Sequence, residues 1–594
     1  MRVENKIVPK QMLLLLALSA LGTVSAYAED PVARYDQQEQ ARQLEKQRLN
    51  HLYESRPQIE DILSGSSGDE SEKTSLEIKT KDEQNEKESS ERESLGDITS
   101  SPEPRFTIHT IQIKGMVPKL DFLEKDVKKE EGKSYSLADI NGIVDKENRK
   151  LIDQGYVTSR LILPSQNIGQ GTLTLVLEPG YLGQVRYADT SAHIPWKNAF
   201  PIRPGELLNI RKLEQGLEQM KRVSSQDTKM ELVPGTEPHT TDLVLTIQRT
   251  DKPIHGLVSL DNSGLKDTGS LQWNVSASAD QFFRANDTFS FGFNGDGAQE
   301  GAEKGTRGHN LSYVIPSGND TFSLQYYKYN YHQTVPSIPF IFLSSSSTKS
   351  GKVNWNHVFF RNKTVKRSWN VGIQRRTSHS FINDQEVDVQ TMDTSDLILG
   401  LDERRYLGAN TLYTSLSFKG GMGWFGAQED YSHGNSDLPT TRYKQVILDM
   451  DYVVPKTWGH RPARIMTSFH GQWTLNGDRL YNRDMVSIGN RYTVQGFDGE
   501  HTLLGESGWY LRQEVSSKIG QLNSDIYAQV DMGAVYGPST DILTGRFLAG
   551  GALGMRGQFN SGLFYDLFVS TPFYKPQGFK TAHVTTGFTA GWRF

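Results

Sequence analysis

The sequence predicts a sixteen-stranded transmembrane antiparallel β-barrel preceded by two small β-α-β-β domains and a polar N-terminal helix. Three observations carry this. From residue 252 to the C-terminus, apolar and polar residues alternate with period two over segments of about ten residues, the pattern of a wall between lipid and water. The connections between these segments alternate between long and short, as for a barrel with loops on one rim and turns on the other. Only 36% of the 594 residues are apolar and the mean hydropathy is −0.54. That excludes a polytopic helical membrane protein, which needs repeated apolar stretches of about 20 residues.

The chain is too long for one ordinary domain, so several modules are expected. A formal net charge of −5 gives no general argument for nucleic-acid binding. There is no cysteine, which removes thiol nucleophiles, thiolate metal sites and disulfides. Arg2, Lys6 and Lys10 precede the apolar run Met12 to Leu18, and Ala26-Tyr27-Ala28 forms a small-x-small cleavage site. Residues 1–28 therefore read as a secretory signal peptide, cut before Glu29. Residues 29–56 follow as an isolated helix rich in good helix formers. Its apolar stripe (Ala41, Leu44, Leu49, Leu52, Tyr53) is too thin to dock on a large core. Such a helix needs bulk solvent or a wet cavity, and this segment alone fits a solvated leader.

Residues 57–104 hold fourteen acids, five bases, ten serines and no aromatic residue. Their net charge of −9, against −5 for the whole chain, leaves +4 elsewhere. Nothing there offsets the entropy of ordering, so the segment reads as a disordered acidic linker, a tether or a solvated spacer. Two α/β units come next, at 105–180 and 181–251. The first has strands at 106–114, 157–163 and 172–178 around a helix at 137–154. The second has strands at 181–187, 229–232 and 242–248 around a helix at 210–223. Core spacing marks the helices through Ile140, Val144 and Leu151, and through Leu213, Leu217 and Met220. Neither unit has a catalytic constellation. Their small sheets leave edges and strand–helix grooves for an extended segment, or else act as spacers.

Residues 252–594 form the barrel. Leu271, Trp273, Val275, Ala277 and Ala279 share one face of a strand, and Phe289, Phe291 and Phe293 share that of the next. The final strand sends Val584, Thr586, Phe588, Ala590, Trp592 and Phe594 to one side. Sixteen strands fit, beginning near residues 256, 269, 286, 308, 320, 350, 366, 394, 410, 442, 461, 507, 524, 547, 561 and 583. The long connections fall at about 296–307, 331–349, 378–393, 421–441 and 477–506. An even count returns the C-terminus to the side where the small domains enter.

The longest connection carries the sharpest motif, Gly489 to Glu500, with Val494-Gln495-Gly496-Phe497 at its centre. Glycines at 489, 496 and 499 suit tight turns, while Tyr492 and Phe497 are too bulky to leave in water. In the strand at 524–535, alternation sends Ile526, Ala528, Val530 and Met532 to lipid and Asp531 to the lumen. A carboxylate at that depth needs a partner.

With these residues in place, the mature chain resembles the two-partner-secretion outer-membrane transporters, relatives of the barrel-assembly factors. Among them it is similar to the transporters of haemolysins and of contact-dependent growth-inhibition toxins. The resemblance makes the two small units polypeptide-transport-associated (POTRA) domains and the polar helix a plug of the barrel lumen. It implies that the sixth extracellular loop folds into the lumen with a Val-Arg-Gly-aromatic tip, which maps onto Val494, Gln495, Gly496 and Phe497. The family's inward aspartate maps onto Asp531. Gln495 departs from the pattern, because an amide cannot make the charge-assisted, bidentate contact of arginine. Arg512 and Arg556 are candidates to balance Asp531 instead. Phe588, Trp592 and Phe594 are the implied C-terminal assembly signal, read by the barrel-assembly machinery.

The function implied is export of one large unfolded adhesin, haemolysin or toxin across the outer membrane of a Gram-negative bacterium. The periplasmic POTRA domains would recognise the client's N-terminal secretion domain. A 48-residue linker reaches about 35–40 Å as a random coil, comparable to a bilayer of about 40 Å. A barrel-assembly insertase and a passive porin are the alternatives. An enzyme is disfavoured, since there is no Gly-x-Ser-x-Gly elbow, His-Glu-x-x-His motif or P-loop. The 14 histidines are scattered, and His332 and His470 read as ordinary polar groups. No cofactor, metal site or nucleic-acid partner is expected.

Overall fold

The structure is a computed structural model that describes residues 42, 45, 104–189, 194–249, 252–297, 301, 303–336, 341–519 and 523–594. The expected signal peptide, nearly all of the expected linker, and the N-terminal helix other than Arg42 and Glu45 lie outside these residues. Two compact units form, Ser55–Thr250 and a second combining Met1–Glu54 with Asp251–Phe594.

In the first unit, strand Thr172–Glu178 runs parallel to Thr110–Lys114 and antiparallel to Arg160–Ile162. Helix Leu137–Asp153 packs on this sheet through buried Ile140, Val144 and Leu151. It starts at Ser136, whose side chain and that of Asp139 each accept the other's main-chain N–H, closing a capping box. The strand expected over 106–114 is broken at His109. His109 and Thr110 both donate to the Gly171 carbonyl, at 2.7 and 3.1 Å, and Phe106–Ile108 turns away to pair with Lys133–Tyr135. An extra helix, Phe122–Val127, buries Leu123 and Val127 in the same core.

The second small domain repeats the arrangement. Tyr181–Tyr187 lies parallel to the central strand Thr240–Arg249, which pairs antiparallel with Gln226–Pro234. Helix Ile210–Lys221 closes the core with Leu213, Leu217 and Met220 against Phe200 and Leu243. Asn209 caps it by accepting from the Arg211 N–H, 2.9 Å away.

The other unit is a closed barrel of sixteen antiparallel strands, from Ile254–Asp261 to Thr585–Arg593. The last strand pairs with the first from Thr589 opposite Asp261 to Arg593 opposite Leu257. Phe594 and Gly256 exchange main-chain hydrogen bonds of 3.1 and 2.8 Å at the seam, so no edge is left open. Short turns such as 318–319, 408–409 and 459–460 join the strands on one rim, and long connections such as 423–443 and 475–506 on the other. On the thirteenth strand, Ser524–Tyr536, Ile526 and Val530 are exposed to the lipid side while Gln529 and Asp531 are buried inside.

Two expected loops are mostly strand. Asp320–Pro336 pairs along its whole length with the stretch from Ile341 to His357 of the next strand, Ile341–Arg361, including residues expected in a loop at 331–349. Val365–Ile382 likewise continues beyond the expected boundary at 378. Tyr331 and Ser344 to Ser347 fall in the expected loop, whereas Tyr327 and Tyr329 belong to the strand that precedes it. A paired ladder satisfies the main chain of those loop-like residues, and the Tyr327 and Tyr329 rings stack at 5.8 Å along the same strand.

Candidate functional site

The connection between the eleventh strand, Arg461–Thr474, and the twelfth, Ser507–Lys518, folds against the inside of the wall. Its arms, Val486–Ile488 and Leu503–Gly505, pair with each other as a short antiparallel ribbon. Below the ribbon, Val494 and Phe497 are buried with Ile488, Leu503, Leu548 and Phe579, and the Phe497 and Phe579 rings meet edge to face at 5.7 Å. Burying two large apolar side chains within the tip holds it by the hydrophobic effect before any polar contact is counted. Gly496 has φ +123°, and a Cβ there would stand 2.6 Å from the Thr571 carbonyl and 2.9 Å from Gly550 Cα. Gly550 is equally required from the wall side, since its own Cβ would lie 2.2 Å from the Gln495 carbonyl. Loop and wall touch backbone to backbone, which only two glycines allow.

Asp531 is fully buried beside this contact. The expected partner was the Gln495 side chain; the contact is made instead by the Gln495 main-chain N–H, which donates to Asp531 Oδ2 at 2.9 Å. Gln529 Nε2 donates to both carboxylate oxygens at 2.7 and 2.9 Å, and Arg512 Nε stands 3.5 Å from Oδ2. The cation missing from the motif thus comes from the neighbouring strand, where Arg512 is in register with Asp531. Arg512 also donates to the Tyr492 carbonyl at 3.2 Å, so it holds the loop and the carboxylate together. Arg556 does not serve Asp531: it grips Glu514 and lies over the Tyr527 ring at 4.9 Å.

The same arginine meets the N-terminal helix. Glu45 is helical and its Oε2 lies 3.1 Å from Arg512 Nη1. Arg42, three positions earlier on the same helix face, is 3.6 Å from Asp261 at the end of the first strand.

A second anchor was not foreseen. Where the loop enters, Asp484 accepts from Lys419 Nζ at 3.3 Å and from the Tyr443 hydroxyl at 3.2 Å; that hydroxyl also donates to Asp396 at 2.8 Å. Arg483 Nη2 donates to Thr394 Oγ1 at 2.8 Å, and Gln445 and Gln472 both donate to the Asp484 carbonyl. These residues come from five separate segments without a local motif, so only closure of the barrel brings them together. On the outgoing side Asp498 accepts from the Ala582 N–H at 2.9 Å and the Thr581 hydroxyl at 3.1 Å. Of the histidines singled out, His332 bonds the Gly301 carbonyl and His470 pairs with Asp449 at 2.6 Å. Among the described residues no cluster of side chains could hold a metal ion.

At the C-terminus the Trp592 and Phe594 rings sit 5.0 Å apart and are exposed on the lipid side, while Phe588 is partly buried.

Residues 239–557 match the family model for haemolysin secretion/activation proteins ShlB/FhaC/HecB. The chain belongs to this family. Residues 106–180 and 181–234 match POTRA domain models, the first of the ShlB type. The chain is 39% identical over 449 residues to outer membrane transporter CdiB-2 of Burkholderia pseudomallei, spanning 75% of this chain and 76% of that one. It is 26% identical over 383 residues to hemolysin transporter protein HpmB of Proteus mirabilis, covering 64% and 66%. The structure resembles CdiB from Escherichia coli with a TM-score of 0.76 and 25% identity, covering 87% of this chain and 97% of that one. For CdiB from Acinetobacter baumannii the TM-score is 0.74 at 26% identity, covering 87% and 98%. As a member of the haemolysin secretion/activation family, the chain is a two-partner-secretion transporter of the Gram-negative outer membrane, with its POTRA domains in the periplasm. Its relatives are transporters rather than enzymes.

Proposed function

We propose that this transporter exports one large unfolded exoprotein of the haemolysin or contact-dependent-inhibition class, captured by the POTRA domains through its N-terminal secretion domain and conducted through the barrel lumen. The N-terminal helix rests in that lumen as a plug and leaves when a client arrives. No step of this is catalytic. The observation that carries the reading is the way the helix is held. Its two described residues both make ion pairs to the wall, Glu45 to Arg512 and Arg42 to Asp261. When the helix leaves, water entering the polar lumen can rehydrate all four charged groups, which offsets the lost pairing and makes the occupant removable. The barrel-assembly machinery, reading Phe588, Trp592 and Phe594, inserts the chain.

The test is a pairing experiment. The fragment 105–251 should bind the N-terminal region of the cognate exoprotein, encoded beside the transporter, and deletion of the transporter should abolish surface display of that exoprotein alone. If the fragment fails to bind while the full transporter binds, recognition lies in the barrel and the POTRA assignment falls.

A further inference from the structure

On one stretch of the outer wall an apolar groove lies beside a cluster of charged side chains. On the seventh strand, Val365–Ile382, the outward residues run Arg367, Trp369, Val371; on the eighth, Met392–Leu407, they run Leu399, Leu401, Glu403, Arg405. Register places Arg367 opposite Glu403, Trp369 opposite Leu401 and Val371 opposite Leu399. The next two strands continue the apolar rows, with Leu416 beside Leu401, Phe418 beside Leu399 and Val446 beside Phe418. Between these side chains runs a groove of about 400 Å³, floored by the backbone at Asn370, Gly400 and Ser417. Leu401 and Leu416 remain 55% and 46% exposed, so none of the described residues covers it.

The charged residues lie one outward position below the groove, about 7 Å at the rise of a strand. They flank the short turns at 362–364 and 408–409, which places them at the periplasmic interface. Arg367 Nε donates to Glu403 Oε2 at 2.6 Å, and Arg405 Nε donates to Oε1 at 2.8 Å. One carboxylate thus aligns two guanidinium groups and leaves a net charge of +1. Each guanidinium carries five N–H donors, and Glu403 accepts only a part of them. The Phe360 ring supports the Arg367 guanidinium at 5.4 Å, and Arg361 and Lys363 add like charge at the adjoining turn.

We propose that this wall binds an anionic glycerophospholipid of the periplasmic leaflet, with its phosphodiester on Arg367 and Arg405 and an acyl chain in the groove. The two parts do different work. Lipid tails are as apolar as leucine, so the groove gains nothing by hydrophobic burial and acts through shape and dispersion, lengthening residence. Selectivity comes from the guanidinium pair, which makes charge-assisted, bidentate contacts to phosphate oxygens. A zwitterionic lipid offers the same phosphate but brings its own ammonium to compete. Net positive charge at the interface therefore selects the anionic headgroup.

The test is native mass spectrometry of the full chain in mild detergent with equimolar phosphatidylglycerol and phosphatidylethanolamine. The expected result is retention of phosphatidylglycerol over phosphatidylethanolamine by about fivefold or more. Arg367→Gln/Glu403→Gln/Arg405→Gln, which neutralises the site without stranding a carboxylate, should bring that ratio to about one. Leu401→Trp should lower retention of both lipids while keeping the charges. Equal retention by the unaltered chain, an unchanged ratio in the triple variant, or undiminished retention in Leu401→Trp would each overturn the proposal. Heat-modifiable migration checks barrel assembly; should the triple variant fail to assemble, Leu401→Trp decides.

Discussion

At Gln495 the chain reaches Asp531 with its main-chain N–H and not with its side chain. The Gln495 N–H on Asp531 survives any substitution except proline, so Gln495→Ala should cost at most about 1 kcal/mol of loop docking and lower secretion only partly. Gln495→Arg should be tolerated. Asp531 is different: the Gln495 N–H and the Gln529 amide both donate to it, and each buried donor left without its acceptor costs about 1–3 kcal/mol, while Arg512 keeps Glu45. Asp531→Ala should therefore fall well below Gln495→Ala in client secreted per folded barrel. Gly496→Val and Gly550→Val should each abolish secretion, because either Cβ meets backbone within 3 Å, and backbone has nowhere to shift. Secretion that persists in both would remove the docked loop tip from the mechanism. The motif was readable from Val494 to Phe497, as was the inward direction of Asp531. Which atom of Gln495 bonds the carboxylate was not readable, because a strand pattern orients side chains and says nothing of a loop's main chain.

Among the elements, the N-terminal helix and the first POTRA domain make separate predictions. Glu45 and Arg512 carry opposite charges 3.1 Å apart, so Glu45→Arg should raise ion conductance in planar bilayers by dislodging the helix. Glu45→Gln should give an intermediate conductance, and both variants should keep heat-modifiable migration, which a misfolded barrel would not do. Removing residues 29–56 should raise conductance more than either, and conductance unchanged by that deletion would refute the plug. In the first POTRA domain, Lys129 and then Lys150 hold the Asp126 carboxyl down to about 2, from an ordinary 3.8. Lys133, and after it Tyr135, hold Glu130 down to about 2 from 4.5. Both folded values lie below the unfolded ones, so this stabilisation is complete above about pH 4.5 and disappears as pH falls towards 2. The fragment 105–251 should accordingly melt at falling temperature across that window. Asp126→Asn with Glu130→Gln should flatten the dependence. A melting temperature with the same acid slope in that double variant would place the titration elsewhere. The helices of both domains were legible from core spacing, whereas the break at His109 was not, since it depends on the Gly171 carbonyl some sixty residues along the chain accepting from two consecutive N–H groups.

For the whole molecule, closure is the governing constraint, because a membrane offers no water to an open sheet edge. The seam between Thr585–Arg593 and Ile254–Asp261 joins the two ends of the barrel domain, and Trp592 and Phe594 lie beside it. Trp592→Ala with Phe594→Ala should reduce the heat-modifiable, assembled fraction severalfold while leaving the POTRA domains folded. Normal assembly would detach these residues from the proposed signal. Strand number, rim assignment and lipid-facing residues were all present in the one-dimensional pattern. Lipid on one side and water on the other impose a period of two that each strand must satisfy by itself. Other features exist only once the sheet has closed. Ser344 to Ser347 read as a loop until paired with the fifth strand. The cluster of Asp396, Lys419, Tyr443 and Asp484 gathers side chains nearly ninety residues apart, and Arg512 becomes the partner of Asp531 through strand register. Local patterning records the solvent each residue meets, while contacts between distant strands depend on register and closure, and those are properties of the assembled barrel alone.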